Sequence, residues 1–138
     1  MKRILAFDVG ERRIGVAVSD PLGISAQGLE TYVRGDNLDA DVAHLLEIAE
    51  RYKPVTLLFG MPRNMNGSFG MQAEATRAFA DAVLQEWDGE YDFCDERLTT
   101  MAANRVLLEA DVRRDKRKKV VDKIAAVIIL QSYLDAHA

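Results

Sequence analysis

A chain of 138 residues, 49% hydrophobic and 29% charged, is long enough to bury a proper core without disulfides or metal staples, and one domain over residues 1–138 is expected. The net charge of −4 excludes a globally basic nucleic-acid binder, so any such affinity must come from local charge. The single Cys94 excludes an intramolecular disulfide, and no run approaches the ~18 apolar residues of a membrane span, so a cytoplasmic protein without membrane contact is expected.

The first strand is expected at Arg3–Val9. Period-two alternation puts Ile4, Ala6 and Asp8 on one face and Leu5, Phe7 and Val9 on the other. Asp is depleted in strands, and a desolvated, unpaired carboxylate costs several kcal/mol. Asp8 therefore needs a cation, a donor cluster or a metal ion, unless it only caps a turn with Gly10. Arg13–Ser19 follows after a tight connection and makes a hairpin. Asp20-Pro21-Leu22-Gly23 is a turn, and Ile24–Val33 is a third strand weakened by Gly28.

Asp36 or Asn37 then caps a helix. Its buried stripe is Leu38, Val42, Leu45, Leu46 and Ala49, with Asp41, His44, Glu47 and Arg51 on the solvent side. Val55–Gly60 is a buried strand, Met61–Ser68 a polar loop, and Phe69–Trp87 a helix packing Ala75, Phe79 and Val83 inward. Tyr91–Cys94 is the last strand. Thr99 or Thr100 caps a further helix with Ala102, Ala103, Val106, Leu107 and Ala110 buried. A charged segment, Asp111–Lys119, leads to a closing helix from Val120 to about Ala136. The order βββαβαβαα predicts an α/β fold: a mixed sheet of three antiparallel strands and then two parallel ones, with helices on both faces.

Three acids stand out by placement. Asp8 ends the first strand, Glu96 lies just past the last, and Asp122 opens a nearly all-apolar helix. Ligands of open sheets bind where parallel strand ends meet helix starts, and these three positions converge there. Each also has a plainer reading: Asp122 complements a helix dipole, and Glu96 is a surface residue beside Arg97. Three carboxylates in one cleft require a cation. Mg²⁺ suits an all-oxygen donor set, keeps waters for phosphates, and supports phosphodiester hydrolysis. No His or Cys cluster offers zinc ligands, and neither a phosphate loop nor a Gly-x-Ser-x-Gly elbow occurs. Arg113, Arg114, Lys116, Arg117, Lys118 and Lys119, six basic residues in seven, form either a solvated loop or a holder for a polyanionic backbone beside Asp122. Arg63 and Asn64 lie at the same predicted edge and can contact phosphates, as can Arg97.

Ala6-Phe7-Asp8-Val9-Gly10 with Arg13–Val18, Gly60–Gly67, Asp95–Thr100 and Asp122–Leu130 together resemble the YqgF family. These are small bacterial proteins of the ribonuclease-H-like fold, described as pre-16S rRNA nucleases and as Holliday-junction resolvases. The resemblance implies a nuclease with Asp8, Glu96 and Asp122 as metal-binding catalytic acids, dependent on Mg²⁺ or Mn²⁺. It also implies processing of the pre-16S rRNA 5′ end, with ribosomal precursor particles as partners. Resolvases of this superfamily often carry a fourth acid three residues before the last Asp, where this chain has Lys119, so one or two ions are compatible with it. Four-way DNA is the alternative substrate; its symmetric cuts need a homodimer, whereas RNA trimming is compatible with a monomer. Two readings of another class stand beside these. One is a non-catalytic RNA-binding assembly factor. The other is an actin-like nucleotide module, whose first hairpin also carries an Asp-x-Gly turn.

Overall fold

The computed structural model of the chain describes residues 3–61, 71–95 and 114–137, without the side chains of 71–73, 95 and 114–123. The elements are β1 (Arg3–Val9), β2 (Arg13–Ser19), β3 (Ala26–Val33), α1 (Leu38–Arg51), β4 (Val55–Met61), α2 (Met71–Leu84), β5 (Tyr91–Asp95) and α3 (Arg114–Ala136). The helix expected after Thr99 lies outside the described residues. The sheet order is β3-β2-β1-β4-β5, so β1 is central. It pairs antiparallel with β2 and parallel with β4, and β2–β3 and β4–β5 repeat those two senses. The α/β mixed sheet anticipated from the order of elements is therefore observed. β3 starts at Ala26 rather than Ile24 because the Asp20 carboxylate accepts from the Ile24 and Ser25 amides and holds those residues in the turn.

Alternation along β1 divides the molecule into two cores. Leu5, Phe7 and Val9 pack with Ile14, Val16, Val18, Leu57 and Phe59 against α1 and α2. The Phe7 and Phe59 rings are 5.4 Å apart, and Phe59 and Phe93 are 5.9 Å apart. Each such side chain, fully withdrawn from water, contributes about 1.5–3 kcal/mol. On the other face Ala6, Ala17 and Leu58 meet Ala126, Ile129, Leu130 and Leu134 of α3, with Ile4 and Cys94 at the margin. The small side chains at 6 and 17 let that helix lie close to the central strands.

Three details differ from the periodicity. α1, capped by Asn37 on the Asp39 and Ala40 amides, is rotated so that Asp41, Val42, Leu45, Ile48 and Ala49 are buried while Leu38 is 48% exposed. Asp41 lies at the border of the stripe, and the end of β3 covers it. His44 is stacked on Tyr32 with centroids 4.1 Å apart and pairs with Glu30 at 3.1 Å. In α2, Thr76 and Ala80 join Phe79 and Val83 inside, and Ala75 is exposed. Finally, the basic run expected before the closing helix is part of it from Arg114 on, because Lys and Arg are good helix formers.

Candidate active site

Asp8 is the sixth residue of β1, half-buried, opposite Gly15 of β2. It belongs to the row of Ile4 and Ala6, hence to the sheet face that α3 covers. Phe7 pairs with Phe59 and Phe59 with Phe93. The next row is then Asp8, Gly60 and Cys94, which crosses two strand spacings, about 10 Å. On β5 the even positions face α3: the Tyr133 hydroxyl donates to Asp92 at 2.9 Å, and Cys94 borders the α3 core. Burial and the Asp92 carboxylate both raise the Tyr133 pKa, so that hydroxyl stays protonated and remains a donor. β5 ends at Asp95.

One side chain fixes the sheet end beside which Gln131 of α3 sits. Gln131 accepts from the Ala26 amide and donates to the Ile24 carbonyl, both at 3.0 Å. Ala26 pairs with Ser19, whose hydroxyl accepts from the Ile4 amide at 2.8 Å. Gln131 is therefore at the Ile4 end of β1. Ala126, Ile129, Leu130 and Leu134 are buried against the sheet and Asp135 is exposed. Nine residues at ~1.5 Å each carry the backbone back to position 122, about 13 Å. Four residues at ~3.3 Å carry β1 from Ile4 to Asp8, also about 13 Å. By length alone, position 122 can reach the level of Asp8, with α3 lying chiefly over β2 and β3.

Of the other expected site residues, Arg114, Lys116, Arg117, Lys118 and Lys119 occupy the first turns of α3, within nine residues of Asp122. Glu96, Arg63, Asn64, Arg97 and Arg113 lie outside the described residues. Among the described residues no three acidic, His or Cys side chains group as metal ligands.

The turn after Asp8 is braced from behind, by groups the sequence reading set on the solvent side or passed over. Gly10 donates to the Arg13 carbonyl at 2.8 Å. Arg34, just past β3, donates through Nη1 to the Gly10 carbonyl at 2.8 Å and through its amide to the Arg12 carbonyl at 2.8 Å. Its Nε meets Asp41 at 3.3 Å, and its guanidinium lies 4.7 Å over the Phe79 ring. Asp41, 1% exposed, also accepts from the Tyr32 hydroxyl at 2.8 Å and the Gly35 amide at 3.2 Å. Burial works to raise the Asp41 pKa, but Tyr32, Gly35 and Arg34 outweigh it and hold the carboxyl below its usual value. The available signal was alternation: Tyr32 and Arg34 share a face of β3 that leads toward α1. A cavity of about 180 Å³ adjoins the turn, lined by Val9, Gly10, Glu11, Arg34, Ala75 and Thr76.

A family model described as "RuvX: Holliday junction resolvase" matches residues 2–136. The chain belongs to the RuvX family. Its relatives include a Moorella thermoacetica protein, 57% identical over 133 residues, covering 96% of this chain and 94% of that one. Another, from Symbiobacterium thermophilum, is 55% identical over 136 residues, covering 99% and 94%. Both are named "Putative pre-16S rRNA nuclease". RuvX is thus a nuclease family, as the YqgF-like motifs implied. Among solved structures, T. thermophilus RuvC in complex with a Holliday junction substrate matches with TM-score 0.62 and 16% identity, over 99% of this chain and 96% of that one. Fowlpox virus resolvase, in complex with Holliday junction DNA, matches with TM-score 0.59 and 13% identity, over 98% of both. At such identities the likeness is one of fold, and it is the ribonuclease-H-like fold of RuvC-type resolvases. Among the described residues no helix is long and apolar enough to cross a membrane.

Proposed function

We propose that this RuvX chain, acting as one domain in the cytoplasm, is a divalent-metal-dependent nuclease. Asp8, Glu96 and Asp122 are its metal-binding catalytic acids, and its substrate is the 5′ end of pre-16S rRNA within ribosomal precursor particles. The observation that supports this reading is Asp8, a carboxylate near the end of the central strand on the face that α3 covers, with α3 long enough to bring position 122 to its level. An all-oxygen donor set of this kind fits Mg²⁺ or Mn²⁺. When bound, such an ion supplies an activated water and neutralises charge on the leaving oxygen. The chain's own part is to hold the phosphate in place. Arg114, Lys116, Arg117, Lys118 and Lys119, with Arg63, Asn64, Arg97 and Arg113, neutralise the backbone on either side of the cut. Lys119 stands where related resolvases often carry a fourth acid, which favours a site of lower negative charge. The relatives' name directs the choice of RNA.

Cleavage of precursor rRNA by Asp8→Asn, Glu96→Gln and Asp122→Asn tests the assignment. Each folded variant is expected to lose at least ~100-fold in rate, comparable to losing a principal catalytic group. Wild-type rates in any one of them would refute the role of that acid. EDTA is expected to stop the wild-type enzyme, and cleavage that persists in EDTA would refute metal dependence. RNA binding without any cleavage would identify a non-catalytic assembly factor instead. Tight ATP binding would identify a nucleotide module. The family description and both junction-bound neighbours favour a second reading, cleavage of four-way DNA by a homodimer. Paired symmetric cuts in a junction, made by a protein that sediments as a dimer, would establish it over RNA trimming.

A further inference from the structure

We infer that Arg34 and Asp41 are positioning residues for Asp8, acting through the backbone of the turn at Gly10–Arg13, and that they set how tightly the site holds its divalent ion. The inference rests on the nuclease reading above. Gly10 is two residues from Asp8, so any tilt of the turn changes the direction in which β1 delivers that carboxylate. Arg34 secures two carbonyls of the turn at once, Gly10 through Nη1 and Arg12 through its own amide, both at 2.8 Å. The guanidinium is itself fixed on its other sides by Asp41 at 3.3 Å and the Phe79 ring at 4.7 Å. Asp41 is anchored to α1 and held by Tyr32 and Gly35. A continuous line of contacts thus runs from the first helix to the residue next but one to Asp8. A charge pair kept at so buried a position is a poor way to gain stability alone, because desolvation offsets most of the attraction. Its planar, forked donor set does what an apolar pair cannot: it fixes the orientation of a backbone carbonyl. Supporting groups of this kind typically change metal affinity or activity by about 10–100-fold.

The test uses the full chain, with Mn²⁺ binding measured by electron paramagnetic resonance without nucleic acid, Gly10 amide exchange by NMR, and thermal unfolding. In the wild type the Gly10 amide is expected to exchange as slowly as the amides of β1; loop-like exchange would overturn the proposal without any variant. Arg34→Lys keeps the charge but cannot reach both Asp41 and Gly10, and Asp41→Asn keeps the shape. Each is expected to weaken Mn²⁺ binding about ten-fold and to speed Gly10 exchange, with cleavage recovering at high Mn²⁺. Lower melting temperatures with wild-type Mn²⁺ affinity would mean a purely structural brace and overturn the inference. Asp8→Asn separates the two layers. If it leaves Mn²⁺ affinity unchanged, the nuclease reading itself fails. If it abolishes binding while the Arg34 and Asp41 variants bind as wild type, only the positioning role fails.

Discussion

Asp41 shows how a single buried carboxylate can tie a stability profile to pH. Its acceptor oxygens serve Tyr32, Arg34 and Gly35, so truncation leaves three donors unsatisfied. Asp41→Ala is expected to cost about 3 kcal/mol by chemical denaturation. The folded carboxyl binds its proton more weakly than the unfolded one, so the contribution of its charge is complete above the ordinary carboxylate value near ~4. It is lost as pH falls through the lower folded value. The stability gap between wild type and Asp41→Asn should accordingly be constant from pH 7 to 5 and shrink toward pH 3. A gap that widens on acidification would contradict the assigned direction. Gly10 is constrained differently. A Cβ there would sit 2.9 Å from the Arg13 carbonyl oxygen, so the hairpin must shift to accept one. Gly10→Ala is expected to cost about 1–3 kcal/mol, as overpacking does; a neutral melting temperature would show that the turn yields.

Among the elements, α3 combines two roles along one axis. Its middle is apolar and closes the second core through Ala126, Ile129 and Leu130, whereas its first turns are basic. These basic positions lie on a helix continuous with the core, and their nucleic-acid contacts are the proposal to be tested. Lys118→Ala with Lys119→Ala should weaken nucleic-acid binding and reduce the slope of log K against log salt by about 1–2, the release of one counterion per lost phosphate contact. An unchanged slope would show that these lysines do not touch the backbone. The strands and the closing helix were legible in the sequence because alternation and apolar runs are local signals. The helical state of the charge run from Arg114 on is not legible, because charge density speaks of solvation, not of backbone conformation. The burial of Asp41 is not legible, because its partners Tyr32 and Arg34 lie outside its own helix and no helical wheel contains them. Asp8 stands out in the sequence for the opposite reason, since an acid in a buried strand violates the pattern by itself, and the structure puts it on β1 as expected.

At the scale of the whole molecule, both faces of the sheet are closed by helices through large apolar clusters. Metal removal should therefore abolish cleavage while leaving the fold intact. Stripping an ion present at ten times its dissociation constant withdraws about 1.4 kcal/mol, a fall of about 3–5 °C for a chain of this size. Collapse of the near-ultraviolet circular dichroism in EDTA would show instead that the ion is structural.

One irregularity bears on how copies of this chain can meet. Among the described residues β3 pairs only with β2 and so forms a border of the sheet. Its ladder is interrupted where Val16 faces Glu30 and Ala17 faces Gly28, with Leu29 as the surplus residue. Such a bulge bends a border strand and spoils it as a template for a second strand. A two-fold partner recruited for symmetric cutting is therefore expected to dock otherwise than by adding a strand along β3.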